Sequence, residues 1–319
     1  MEIRLFSGSA NPGLATTVAH ELGIPLGKML LRRFPDGEVE FRLEETVRGR
    51  DVYLLQPTGP PVNEHLMELL VMIDACRRAS AGRVTAMISY YGYSRQEKKS
   101  RGREPITARL VADLLTVAGT DRVVSIDLHS PAIQGFFDIG MDHLTAVPLL
   151  IEHLRRHREP DMVVVSPDTG RVKLAESYAR ALGLPMVVLH KQRLGGAETE
   201  IHAVVGDVQG RRPIIIDDMI TTGSTIQSAV RALLAAGATP EVSVSVTHGL
   251  LVGEAVERLA EPSIAEVTLT DTVPIPREKR LPKMHVVSVA GLLAEAVRRL
   301  NEDRSISEIF PPRYDHHPV

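Results

Sequence analysis

Short apolar runs, polar turns and stretches of helical spacing follow one another along this chain from end to end. Ile3 to Phe6, Val52 to Leu55, Val84 to Ile88 and Arg122 to Ile126 are of strand length and almost continuously apolar, as strands buried on both faces should be. Between them, helical spacing predicts a helix after the turn Ser7 to Gly13 and ending at Gly23. A second is capped by Asn63 and contains Cys76, and a third runs from Pro105, suited to a first helical position, to Gly119. Lys28 to Arg33 and the alternating Val39 to Leu43 flank Phe34-Pro-Asp-Gly-Glu38, whose Pro-Asp-Gly turn signal predicts a hairpin. Gly135 to Ile139 is a further apolar segment.

Near residue 146 the pattern begins again. Met162 to Val165, Met186 to Leu189, Ile214 to Ile216, Val242 to Val246, Ala265 to Leu269 and His285 to Ser288 read as strands. Pro148 to Leu154, Val172 to Leu182, Ile226 to Leu234 and Ala290 to Leu300 read as helices. The alternation predicts an α/β protein of two similar doubly wound domains with central, mainly parallel sheets. The domains are expected over 1–146 and 147–319, with the C-terminal tail able to pack back on the first. A chain of 319 residues exceeds the usual single core, which agrees with two.

Composition narrows the class. Lys plus Arg total 37 against 40 Asp plus Glu, a net charge of −3, so no basic excess points to nucleic acid or an anionic membrane. Cys76, the only cysteine, shares an apolar helical face with Leu66, Leu69, Leu70 and Ile73 and reads as a buried, reduced thiol. No apolar run reaches the length of a membrane span and no signal-like segment opens the chain, so a cytosolic location is expected.

The segment with the most chemistry is Pro213-Ile-Ile-Ile-Asp-Asp-Met-Ile-Thr-Thr-Gly-Ser-Thr225. It reads as a buried strand, an acidic pair at its end (Asp217, Asp218), a hydroxyl-rich turn and then a helix. Ligands of open α/β sheets bind beyond the carboxyl ends of strands, and a helix start offers N–H groups to an anion. Thr221, Thr222, Gly223, Ser224 and Thr225 therefore read as a phosphate cradle, with the carboxylates accepting sugar hydroxyls or carrying magnesium. The plainer alternative is an ordinary capping turn beside solvated carboxylates.

Other loops carry weaker signals. Exposed Phe34 beside Asp36 and Glu38 could stack on an adenine, or pack as a hairpin tip. Five basic residues lie between Arg95 and Arg103, close after three tyrosines; this is a solvated loop or a grip for a polyanion such as a nucleoside triphosphate. Asp127-Leu-His129 at a strand end offers a metal ligand or a structural histidine, and Asp168 a ligand or a helix cap. His190 to Glu200 is a polar, glycine-containing stretch with the character of a mobile flap.

Taken together, Tyr90-Tyr-Gly-Tyr-Ser-Arg-Gln96, Asp127-Leu-His129 with Gln134-Gly-Phe-Phe-Asp138, and the acidic strand-turn resemble the ribose-phosphate diphosphokinase family, in its common class. The resemblance spans nearly the whole chain. It implies two phosphoribosyltransferase-like domains and transfer of the β,γ-diphosphoryl group of ATP to the anomeric hydroxyl of ribose 5-phosphate. By that resemblance Phe34, Asp36, Gly37 and Glu38 meet adenine across a dimer interface, Arg95 and Gln96 hold ATP, and His129 and Asp168 position Mg2+. Arg193, Asp217, Asp218 and the turn from Thr221 to Thr225 bind ribose 5-phosphate, while Lys191 and Arg193 close over the reacting phosphates. It further implies a homohexamer built from dimers, with phosphate and ADP as effectors and a contribution from the segment near Ser305 and Ser307. Neither nucleic acid nor membrane is an expected partner.

The chain lacks a G-x-x-x-x-G-K-[ST] phosphate loop, so any ATP must be gripped by other means. It also departs from the family pattern: Thr221 stands where an aspartate is usual and Ser224 where a glycine is usual, giving Thr-Thr-Gly-Ser-Thr, a form seen in many phosphoribosyltransferases. Two rivals remain from sequence. One is a phosphoribosyltransferase, which usually needs a single such domain; the other is a non-catalytic relative, which tends to carry flap insertions that this chain lacks. An oligonucleotide-binding protein is a distant third.

Overall fold

A computed structural model describes the backbone of residues 1–193 and 199–310, and the side chains of all these except 191–193 and 199–202. The chain forms two compact units, one of residues 1–145 with 272–274 and 288–310, the other of residues 146–271 with 275–287.

In the first unit the elements are β1 (Ile3–Ser7), α1 (Pro12–Leu22), β2 (Met29–Arg33), β3 (Val39–Leu43), β4 (Asp51–Leu55), α2 (Val62–Arg78), β5 (Arg83–Ile88), α3 (Thr107–Ala118), β6 (Arg122–Ile126) and β7 (Gly140–Leu144). Five strands make a parallel sheet in the order β1-β4-β5-β6-β7, while β2 and β3 pair antiparallel as a separate hairpin. Val52, Leu54, Val84, Ala86, Ile88 and Val123 point to the face covered by α2 and α3, through Leu66, Leu69, Ile73, Val111 and Leu115. Cys76 is buried there, and burial pushes its thiol up to about 12, as an inert core cysteine should be. Helix α3 begins at Thr107, two residues later than Pro105 suggests, and β7 forms directly after the apolar segment Gly135 to Ile139, at residues for which no strand is expected.

The opposite face carries a buried ion pair. Asp51, fully buried on β4, receives Arg83 in a fork: Nε to Oδ1 at 2.8 Å and NH2 to Oδ2 at 2.5 Å. Tyr53 Oη and Asn301 Nδ2 also donate to Oδ2, at 2.8 and 2.9 Å. Burial alone would raise the Asp51 carboxyl; the bonds from Arg83, Asn301 and Tyr53 outweigh it and hold the group below the usual carboxylate range.

The second unit comprises α4 (Val147–Arg155), β8 (Met162–Ser166), α5 (Val172–Leu182), β9 (Met186–Arg193), β10 (Thr199–Val205), β11 (Arg212–Ile220), α6 (Ser224–Ala235), β12 (Val242–Gly249), α7 (Ala255–Leu259), β13 (Ile264–Thr270) and β14 (Met284–Val287). The last helix, α8 (Ala290–Asn301), returns to the first unit and packs on α1. The seven-stranded order is β10-β9-β8-β11-β12-β13-β14, parallel except for β10. Ile215, Val244 and Val267 face α6 and α7, through Ile226, Val230, Leu233 and Leu259.

Two expectations change here. Strand β11 does not end at Ile216: it runs to Ile220, with Asp217 in register with Val246, so the acidic pair lies within the strand. Pairing along β12 as far as Gly249 overrides the poor strand propensity of aspartate. Strand β9 likewise continues to Arg193 and pairs with β10, so Lys191 and Arg193 have strand backbone. The stretch expected as a flap is thus largely a two-stranded arm, and its tip, 194–198, lies outside the described residues. His316 and His317 do too.

Candidate functional site

In the second unit the sheet changes direction between β8 and β11. From β8 the chain steps outward to β9 and β10, whereas β11 opens the run that proceeds the other way to β14. A crevice forms at such a switch point because the connections leaving the two strands diverge. The candidate residues of this unit gather at that end: Asp168 and Arg171 follow β8, and Asp217, Asp218 and residues 221–225 belong to β11 and the turn beyond it.

Arg171 resolves the problem of two adjacent carboxylates. Its Nε lies 3.3 Å from Asp217 Oδ1 and its NH2 2.8 Å from Asp218 Oδ2, with all three side chains largely buried. The Asp218 N–H also donates to Asp217 Oδ1 at 2.9 Å. Burial first, and then the charge of Asp218, push the Asp217 carboxyl well above its ordinary value, with Arg171 pulling the other way. Burial that raises a carboxyl in this way is offset by any further hydrogen-bond donor that reaches the carboxylate. Arg171 was not singled out from sequence; the available signal was a guanidinium three residues after Asp168, on the loop leaving the strand beside β11.

The turn has the geometry of an anion cradle. Gly223 takes φ +75°, where a Cβ would be strained, and α6 begins at Ser224 with no side chain capping it. The first N–H groups of an α-helix have no intrahelical acceptor, so an uncapped start leaves them for a ligand. Thr222 Oγ1 and Ser224 Oγ stand 3.2 Å apart, and Arg258, also unforeseen, braces the turn by donating to the Thr222 carbonyl at 2.7 Å. Asp168 is half-buried and its Oδ1 accepts from Gly170 N–H at 2.9 Å, the local capping role that sequence allowed it.

In the first unit the hairpin forms as expected. Phe34 sits exposed at its tip, Glu38 N–H bonds Asp36 Oδ1 at 3.1 Å, and Gly37 supplies a left-handed φ of +95°. Strands β5 and β6 are neighbours, so the loop of Arg95 and Gln96 and the loop of His129 leave adjacent strand ends. Arg95 is exposed, while Gln96 Oε1 accepts from Thr107 Oγ1 at 2.6 Å. Tyr90 and Tyr91 are buried, so they offer no stacking surface to an oligonucleotide. Among the described residues, Tyr93, Arg103 and Asp127 are three of six non-glycine residues with positive φ, which concentrates backbone strain on these two loops.

Of the two residues expected to position Mg2+, the imidazole of His129 belongs to the first unit and the carboxylate of Asp168 to the second. An oxygen donor oriented by a backbone N–H suits Mg2+; an imidazole is a less usual partner for that hard cation.

Comparison with known proteins gives a consistent picture. Residues 3–119 match the model for the N-terminal domain of ribose phosphate pyrophosphokinase, and residues 197–311 that for the phosphoribosyl synthetase-associated domain. The chain is 48% identical over 309 residues to a ribose-phosphate pyrophosphokinase of Gloeobacter violaceus, covering 97% of this chain and 93% of that one. It is 48% identical over 315 residues to one of Rhodopirellula baltica, covering 98% and 99%. A crystal structure of phosphoribosylpyrophosphate synthetase from Mycobacterium smegmatis superposes with a TM-score of 0.90 at 48% identity, over 95% of this chain and all of that one.

Proposed function

The chain belongs to the ribose-phosphate pyrophosphokinase family, and from that premise we propose how its residues divide the work of making 5-phosphoribosyl-1-pyrophosphate. The enzyme moves the β,γ-diphosphoryl group of ATP to the 1-hydroxyl of ribose 5-phosphate. A bond forms between the hydroxyl oxygen and the β-phosphorus as the hydroxyl proton is lost to solvent, the bond from the β-phosphorus to the α–β bridging oxygen breaks, and AMP leaves with the bridging oxygen.

Ribose 5-phosphate binds at the switch point of the second unit. Its phosphate takes N–H and hydroxyl donors from Thr221, Thr222, Gly223, Ser224 and Thr225, and Asp217 and Asp218 accept its ring hydroxyls. Arg171 offsets their charge while the sugar is absent and keeps both carboxylates oriented. What carries this reading is the single arrangement of an uncapped helix start directly after an Arg171-bridged acidic pair. Thr221 in place of the usual aspartate keeps a donor in the cradle and removes a charge that would repel phosphate.

ATP binds through the first unit, with Phe34, Asp36, Gly37 and Glu38 on the base and Arg95 and Gln96 on the nucleotide. Lys191 and Arg193, on the β9–β10 arm, supply cations to the transferring phosphates, where developing charge makes positioning and electrostatics the main sources of acceleration. His129 and Asp168 would each offer a ligand to Mg2+, which would supply charge neutralisation at the phosphates. A homohexamer of dimers and control by phosphate and ADP belong to the same reading. No described helix is long and apolar enough to cross a membrane.

The test is AMP formation from ATP and Mg2+ with and without ribose 5-phosphate, with the second product identified by phosphorus NMR. Stoichiometric AMP and 5-phosphoribosyl-1-pyrophosphate only when the sugar phosphate is present is the expected result. Release of ADP, or AMP formation independent of the sugar, contradicts it.

A further inference from the structure

Away from the switch point, three elements of the second unit bring two imidazoles and a carboxylate together. His153 lies on α4, Glu266 on β13 and His285 on β14, and one ligand atom of each falls within 4.8 Å of the others. His153 Nε2 is 3.3 Å from Glu266 Oε1, and the His153 and His285 rings are 5.6 Å apart between centroids. A third imidazole, His157, has its ring centroid 5.5 Å from that of His153. Thr268 Oγ1 donates to Glu266 Oε1 at 3.0 Å, the outer hydrogen bond that commonly orients a ligating carboxylate.

The sheet dictates this convergence. Thr268 pairs with His285 across β13 and β14, and Glu266 and Thr268, two residues apart, share one face. That face is the opposite one from Val267, and α4 lies over it against β12 and β14. A divalent cation accepts lone pairs from imidazole and carboxylate alike, so it would draw these crowded side chains together. Tetrahedral zinc, with bonds of about 2.0–2.2 Å, holds its ligand atoms about 3.3–3.6 Å apart. The His153 Nε2 to Glu266 Oε1 distance of 3.3 Å already lies in that range, and the remaining ligand-atom separations are within 4.8 Å.

We infer that His153, Glu266 and His285 form a site for a borderline transition-metal ion such as Zn2+, with water as fourth ligand, clamping α4 to the edge of the sheet. Two imidazoles favour Zn2+, Co2+ or Ni2+ over Mg2+. Glu266 is level with Ser243 and, through it, with Ile214, so it sits two strands across and three residues back from Asp217. Strand spacings put that at roughly 14 Å. The ion is therefore a structural fastener and takes no part in diphosphoryl transfer. This inference does not depend on the roles proposed for the substrate-binding residues.

The experiment uses the full-length chain without a purification tag, stripped with a chelator and kept in millimolar Mg2+ to occupy oxygen sites. Zn2+ uptake is followed by competition with a chromophoric indicator, Co2+ by its visible absorption, and stability by thermal melting. One Zn2+ per chain with a dissociation constant of about 1 µM or tighter is expected, with a melting temperature that rises with Zn2+. His285→Asn and Glu266→Gln should each weaken binding about 100-fold and abolish the melting shift, with an unchanged melting temperature in chelator for the exposed His285 variant. Replacing His316 and His317 by Ala should change neither. Superimposable titrations of wild type and the two ligand variants, absence of uptake below about 1 mM, or loss of binding with the tail histidines would each overturn the assignment.

Discussion

At the residue scale the arrangement turns on Asp217. Its carboxyl is held above its ordinary value by burial and by Asp218, so the folded state binds that proton more tightly than the unfolded chain does. The stability this group contributes is fully present below its unfolded value of 3.8 and is lost as pH rises through the folded one. Asp217→Asn should therefore raise the melting temperature at pH 8, and the gain should shrink as the pH is lowered toward the unfolded value of 3.8. Activity should fall at the same time, mainly through KM for ribose 5-phosphate, because the amide is a poorer acceptor for sugar hydroxyls. A variant less stable than wild type at pH 8 would count against a carboxylate held for function. The acidic pair was legible in the sequence, as two charges after a buried run that needed a reason to be adjacent. Arg171 was not, because an arginine on a loop is ordinary until the neighbouring strand is known to be β11.

At the element scale, strands and helices followed from periodicity wherever burial was two-sided or amphipathic. The reading failed where tertiary pairing overrode local preference. Asp217, Asp218 and the polar residues of 190–193 argue for a strand end by propensity alone, yet β12 and β10 extend the ladders past them. Strand β7, with Gly140, Asp142 and His143, has too little β-branched character to announce itself. The hairpin was the opposite case, fixed by Pro35-Asp36-Gly37 and an alternating second strand. Its tip gives a test: Phe34→Ala should raise KM for ATP roughly tenfold, the cost of one lost base–aromatic stack of about 1.4 kcal/mol. KM for ribose 5-phosphate should stay as in wild type. A change confined to the sugar phosphate, or none, would remove the hairpin from nucleotide binding.

For the whole molecule, two repeats of strand–helix alternation made an α/β protein with parallel sheets legible from the outset. The strand orders were not legible, since nothing in a linear pattern says that β8 neighbours β11. The return of α8 to the first unit also rests on non-local chemistry: Asn301 and the Leu300 carbonyl meet Asp51 and Arg83, more than 200 positions away. Arg83→Ala leaves a buried carboxylate unpaired and should destabilise that unit by about 3–5 kcal/mol at neutral pH, read by chemical denaturation. Because Asp51 lies below its usual range, its contribution is present above its unfolded value of 3.8 and lost as pH falls through the folded one. The gap between variant and wild type should close only in that acid range; a gap that is flat with pH would mean packing, not charge, holds the helix.

The claim beneath all of these is that a sugar phosphate occupies the crevice between the ends of β8 and β11. Calorimetric titration of ribose 5-phosphate into the wild type, Gly223→Val and Thr225→Val tests it most directly, with ATP titrated as an internal control. Affinity for the sugar phosphate should fall at least about tenfold in both variants, the loss of roughly one strong hydrogen bond, while ATP affinity stands. Undiminished ribose 5-phosphate binding in both would contradict it.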